Sequence, residues 1–212
     1  MTAQTLTQPE QFIQLSGISW ETYEILLAQL SLSQVRLTYN RGHLEMSVRS
    51  SEHELYKTII GRFVETLAEE LQLNIAAFGS TTFQLPESIG VEPDECFYIQ
   101  NIAAVLGKKR IDLNRDPAPD LIVEIEVASS SEHRLQIYAG IGVPEVWLYN
   151  GERLIINLFE NGAYIEGESS LAFPALHILE IVKFLQQAET MDYLELVKSF
   201  RDWVKSEIQH PQ

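Results

Sequence analysis

Apolar residues recur at three- and four-residue spacing over 20–30, 51–71, 176–188 and 191–208, the spacing of amphipathic helices. Between these stretches the period shortens to two. Val35, Leu37 and Tyr39 alternate with polar neighbours, Asn40-Arg41-Gly42-His43 turns the chain, and Leu44, Met46 and Val48 return, which predicts a hairpin. Residues 74–78, 81–85 and 95–99 also read as strands, with a turn at 86–90 and a short helix at 101–106. The stretch 121–127 is apolar at most positions and therefore predicted to lie centrally in a sheet. A helix starts at Ser129-Ser130-Ser131 and is closed by Gly140 or Gly142. Strands at 144–149, 153–159 and 163–166 follow, joined at Asn150-Gly151 and Asn161-Gly162, dipeptides that favour tight hairpins. Residues 1–11 are polar and aperiodic, a loose terminus. This order predicts one α+β domain over 1–212, a mixed sheet flanked by helices.

Ser51 and Glu54 have the spacing of a capping box at the start of the second helix. That gives Glu54 a structural task. His53 beside it has none, and is open to two readings: an exposed first-turn residue, or one at the mouth of a site.

Charge narrows the function. The 15 basic residues against 30 acidic give a formal net charge of -15, which opposes non-specific nucleic-acid binding through phosphate neutralisation. The basic cluster Lys108-Lys109-Arg110 reads first as a solvated loop and second as a phosphate contact. The single cysteine, Cys96, excludes an internal disulfide and suits a reducing cytoplasm. No apolar run is long enough to span a bilayer, so a soluble cytoplasmic protein is expected.

Two acidic clusters carry the candidate chemistry. The first is Glu92-Pro93-Asp94-Glu95, at the start of a strand. The second is Pro119-Asp120, followed by Glu124 and Glu126 inside the apolar strand. Glu124 and Glu126 share one face of that strand. Asp120 has the same parity but lies about 13 Å from Glu124 at ~3.3 Å per residue, so it reads as marking the strand's start. Asp94 can sit beside Glu124 if the two strands pair. Two carboxylates with waters and a substrate phosphate suit Mg²⁺ or Mn²⁺, and such a cation would activate water for phosphodiester hydrolysis. The bland alternative is a turn aspartate receiving backbone N–H groups. Against it, carboxylates in a buried strand are costly unless paired or metal-bound.

The chain resembles the Uma-two-type family of restriction endonuclease-like proteins, abundant in cyanobacteria. The resemblance rests on Pro93-Asp94, Pro119-Asp120-Leu121-Ile122-Val123-Glu124, Ser129-Ser130-Ser131 and, most specifically, Ile137-Tyr138-Ala139-Gly140-Ile141-Gly142-Val143-Pro144-Glu145-Val146-Trp147. It extends from the first helix through Leu44-Glu45-Met46-Ser47 and His53 to about Phe159. It implies a restriction-endonuclease-like core at about 44–160, with an N-terminal helix and hairpin, and C-terminal helices at about 176–208. It implies Asp94 and Glu124 as metal ligands, with Glu126 adding a water-mediated contact. Glu126 stands where the nuclease pattern has lysine. The family supplies that lysine from the following helix, four residues before a tyrosine; here the position is Arg134, four before Tyr138. Arginine stays protonated, so it can steady a phosphate but cannot act as a base. His133 is expected at the surface, and Tyr138 and Trp147 in the core or an interface. A metal-dependent endonuclease in which Asp94, Glu124, Arg134 and His53 form the site leads. A catalytically idle nuclease fold, used as a homodimeric binding or regulatory module, is the alternative from another class, and a small-molecule phosphoesterase a third.

Overall fold

The computed structural model describes residues 11–126, 132–174 and 177–209. The order is β1 (Gln11–Ser16), α1 (Trp20–Leu30), β2 (Val35–Asn40), β3 (His43–Val48), α2 (Ser51–Glu70), β4 (Ala76–Ala77), β5 (Phe83–Leu85), β6 (Ile89–Val91), β7 (Glu95–Tyr98), α3 (Ile102–Val105), β8 (Leu121–Ile125), α4 (Glu132–Ile141), β9 (Glu145–Tyr149), β10 (Leu154–Glu160), β11 (Ala163–Gly167), α5 (Ile181–Leu185) and α6 (Tyr193–Gln209). The class is mixed α+β, as the hydrophobic pattern predicts. Residues 129–131, the expected start of the fourth helix, lie outside the described residues.

The strands form two sheets. A mixed sheet of six strands runs β11-β10-β9-β8-β7-β4; its one parallel pair is β8 with β9, and α4 lies on the connection between them. Five strands, β1-β3-β2-β6-β5, make a second sheet that is antiparallel throughout. The predicted β2–β3 hairpin is the centre of that second sheet.

Strand β8 is buried along its whole length, and its two faces enter different cores. Leu121, Val123 and Ile125 pack with Phe63 and Leu67 of α2 and Phe200 of α6. Ile122 packs on the opposite side with Cys96 and with Ile137 and Tyr138 of α4. Alternation therefore sends Glu124 to the α4 side.

Local differences from the sequence reading have physical reasons. β1, starting where the stretch read as loose ends, adds to β3 in register from Gln11 opposite Val48 to Ser16 opposite His43. Its residues are exposed on both faces, so no burial period announced it. The cap of α2 is Ser50, whose side chain accepts from His53 N at 3.1 Å, so the Ser51–Glu54 capping box is not the one used. The turn expected at 86–90 is shorter, and β6 begins at Ile89. Gly90 there lies against the Tyr23 ring of α1, where a Cβ would come within 2.1 Å of the tyrosine oxygen. Among the described residues no helix is long and apolar enough to cross a membrane.

Asp120 is a structural carboxylate. It accepts from Ile99 N at 2.7 Å, Asn101 N at 2.9 Å and Asn101 Nδ2 at 2.6 Å. These bonds tie the end of β7 to the start of β8. Asp120→Ala leaves two backbone N–H groups without their acceptor and should cost roughly 2–4 kcal/mol, read as a lower urea midpoint with an unchanged slope. A loss below 0.5 kcal/mol, roughly the scale of an ordinary surface change, would remove the carboxylate from that role.

Candidate active site

The register of β7 and β8 places Glu95 opposite Val123 and Cys96 opposite Ile122. Continued by one step, it brings Asp94 beside Glu124. Both carboxylates are buried, Asp94 at 0% and Glu124 at 1% exposure. Sequence reasoning anticipated the juxtaposition. It did not anticipate how many cations meet there.

Asp94 Oδ1 accepts from Arg36 Nη1 at 2.5 Å and faces Arg49 Nη2 at 3.2 Å. Its Oδ2 accepts from His53 Nε2 at 2.9 Å and from the backbone N–H of Ile125 at 2.8 Å. Arg36 comes from β2, Arg49 from the end of β3, His53 from the first turn of α2. Burial opposes ionisation of Asp94, but His53, Arg49 and Arg36 outweigh it and hold the carboxyl well below the usual carboxylate range. His53 is therefore at the site, fully buried, and its Nδ1 lies 3.5 Å from Glu54 Oε1.

Glu124 is engaged from the other side. Its Oε2 accepts from Arg134 Nη1 at 2.6 Å, and its Oε1 accepts from the Tyr138 hydroxyl. Arg134 and Tyr138 are four residues apart on α4 and so share a face. The second guanidinium nitrogen of Arg134 reaches Glu45 Oε1 on β3 at 3.3 Å. Burial, reinforced by the charge of Asp94, pushes the Glu124 carboxyl up against the pull of Arg134. Tyr138 is raised well above the ordinary phenol by burial and the Glu124 charge, so it acts here as a donor and not as a base. Glu126, the next residue of the same parity, is buried just beyond β8, and its backbone N–H donates to Tyr149 O at 2.7 Å.

Above this network opens a cleft of about 800 Å³. It is lined by Leu27 and Leu30 of α1, Arg36 and Leu37 of β2, and Arg49, Ser50 and Lys57. The acidic Glu54 and Glu92 also line it, Glu92 lying 3.3 Å from Arg36 Nε.

The sequence missed Arg36, Arg49 and Glu45 as site residues. Arg36 alternates with Val35 and Leu37 and reads as a solvated strand position; Arg49 reads as a loop cation. Only the packing of one sheet's end against the other brings them inward. Tyr138 was expected in the core, and is there, but its spacing from Arg134 was a signal for the shared face. Lys108 of the basic cluster pairs with Asp116 instead, and Arg110 is exposed.

Among the described residues no three or more His, Cys, Asp or Glu side chains gather as a ready metal cage. The donors nonetheless suit a hard cation such as Mg²⁺, which takes one or two protein carboxylates and keeps its waters. Asp94 has about four acceptor positions and all are used, so a guanidinium must yield Oδ1 first. Arg36 and Arg49 both line the cleft, which gives their long side chains somewhere to go.

No match to the chain was found among curated proteins. A solved structure from Anabaena variabilis, described as a putative nuclease belonging to DUF820, is similar at TM-score 0.50 and 13% identity, covering 86% of this chain and 99% of that one. The type IIG restriction endonuclease BpuSI is similar at TM-score 0.34 and 15% identity, over 73% of this chain and 17% of its own. The former likeness concerns the fold. The sequence itself matches, over residues 20–191, the Uma2 family described as "Putative restriction endonuclease", and the chain belongs to that family.

Proposed function

We propose that the protein is a divalent-metal-dependent phosphodiester hydrolase acting on nucleic acid, with Asp94 and Glu124 holding the cation. The observation that carries this reading is the buried Asp94–Glu124 pair, set across adjacent strands beneath a cleft lined by Arg36, Arg49 and Lys57. When bound, Mg²⁺ or Mn²⁺ supplies an activated water and neutralises charge on the phosphate. His53 and the Ile125 N–H orient Asp94. Arg134 and Tyr138 orient Glu124, and Glu126, two residues on, would add a water-mediated contact. Arg134 is held between Glu124 and Glu45, so positioning Glu124 comes before any hold it has on substrate. Arg36 and Arg49, once off Asp94, face the cleft as phosphate donors.

One observation favours a second reading, the idle module: the acceptor positions of Asp94 are filled by the protein's own donors. The two readings part on metal. Calorimetric titration with Mn²⁺ should show binding, tightened several-fold in Arg49→Ala, where a competitor for Oδ1 is gone. No heat up to millimolar Mn²⁺ in either protein favours the idle module.

Cleavage of labelled DNA and RNA should require Mg²⁺ or Mn²⁺. Asp94→Asn and Glu124→Gln should each lower the rate about a hundredfold or more, the equivalent of several kcal/mol of transition-state stabilisation. Activity surviving both substitutions would refute the site.

Acid stability provides a separate check on Asp94. Its folded pKa is depressed, so its contribution is fully present above the unfolded value near 4 and is lost progressively as pH falls toward the folded one. The stability difference between wild type and Asp94→Asn, measured in urea, should hold from pH 7 to 5 and shrink steadily from about pH 4 downward. Glu124, with its raised pKa, works in the opposite sense. A difference that stays constant to pH 2 would contradict the ion network around Asp94.

A further inference from the structure

The cleft is built for a particular shape of substrate. Its cations are aimed at one point: Arg36 Nη2 and Lys57 Nζ both donate to Ser80 Oγ, at 2.8 and 3.2 Å. Arg36 and Lys57 line the cleft while Ser80 does not, so a phosphoryl oxygen entering the cleft can take the serine oxygen's place on the two cations. Arg36 meets Asp94 with its other terminal nitrogen, so this point adjoins the proposed hydrolytic site. Leu27, Leu30 and Leu37 also line the cleft. Its lining thus combines cationic and apolar groups, as a nucleotide's complement requires.

Size and charge decide between a double and a single strand. The volume of about 800 Å³ lies within the roughly 300–1,000 Å³ typical of sites for small organic ligands. That accommodates a nucleotide or two, not a duplex. A duplex also brings one phosphate per ≈ 1.7 Å of axis toward a chain of net charge -15, in which Glu54 and Glu92 share the cleft with its cations. A strand free of its partner can thread one phosphate to Arg36 and Lys57 while keeping the others away from the acidic surface. The lining residues include no aromatic ring, so the base meets an aliphatic wall without the stacking that favours particular sequences.

We infer that the cleft between α1, β2 and α2 binds an unpaired nucleotide of a single strand, its phosphate on Arg36 and Lys57 and its base against Leu27, Leu30 and Leu37. The inference rests on the hydrolase reading for its substrate class, yet its test needs no turnover.

The test is fluorescence anisotropy of a 5′-labelled oligothymidylate with the full chain in chelator, against the same strand annealed to its complement. Thymidine 5′-monophosphate and inorganic phosphate serve as competitors. The single strand should bind at least about tenfold tighter than the duplex, the nucleotide should compete better than phosphate, and Lys57→Ala should weaken the single strand about tenfold, one charge-assisted contact. Lys57→Arg should restore most of the affinity, and Leu30→Asp should remove the advantage of the nucleotide over phosphate. Circular dichroism and urea midpoints establish that each variant is folded. Equal affinity for both strand forms, no binding of either, or an affinity indifferent to Lys57→Ala would overturn the inference. Strand preference without metal-dependent cleavage would leave the cleft assignment standing and refute the hydrolase; cleavage of duplex with no strand preference would do the reverse.

Discussion

The joint of the molecule is a single carboxylate. Asp94 begins the first acidic strand of the six-stranded sheet, yet it is gripped by Arg36 from the middle of the five-stranded sheet, by Arg49 from the end of β3, and by His53 from α2. An aspartate with no solvent exposure is tolerable only because these donors replace its water. The same donors fix how one sheet end meets the other, and so fix where the cleft opens. Arg134 repeats the arrangement on the α4 side, joining Glu124 of one sheet to Glu45 of the other.

Such a joint is expensive in desolvation and strict in geometry. A neutral apolar junction of equal volume could hold two sheets at least as firmly. Retaining ions there makes sense where the charges have a second use, and the anion binding proposed for the cleft would be such a use. The acidic surplus of the chain is thereby divided. Most of it lies outside the core, while buried Asp94 and Glu124 are matched by guanidinium and buried Asp120 and Glu145 by neutral N–H donors.

How much of this could be read beforehand follows from what a linear pattern carries. The alternation of 35–39 with 44–48 carries the β2–β3 hairpin, and the apolar run around Glu124 carries a central strand, because burial imposes a period on neighbouring residues. The same parity separates Asp120 from Glu124 and puts Asp94 with the latter. Nothing local marks Arg36 or Arg49 as turned inward: each looks like a solvated cation, and its direction is decided by Asp94, 58 positions from Arg36. β1 escaped for the complementary reason: it is exposed on both faces, and its apolar residues Phe12, Ile13 and Leu15 do not alternate. His53 lay between the two cases. Its cap-adjacent place was legible, while its direction depended on Ser50 taking the cap.

Cys96 gives the joint a built-in reporter. The thiol lies two residues from Asp94, fully buried, with its Sγ 3.4 Å from Gly79 O and burial pushing it up to about 12. A thiol so protected is inert to alkylating reagents while β7 stays in place. As the single cysteine of the chain, it turns labelling rate into a clock for native-state opening of the strand that carries Asp94. Anything that grips the neighbouring carboxylate more firmly, whether cation or guanidinium, will slow that clock.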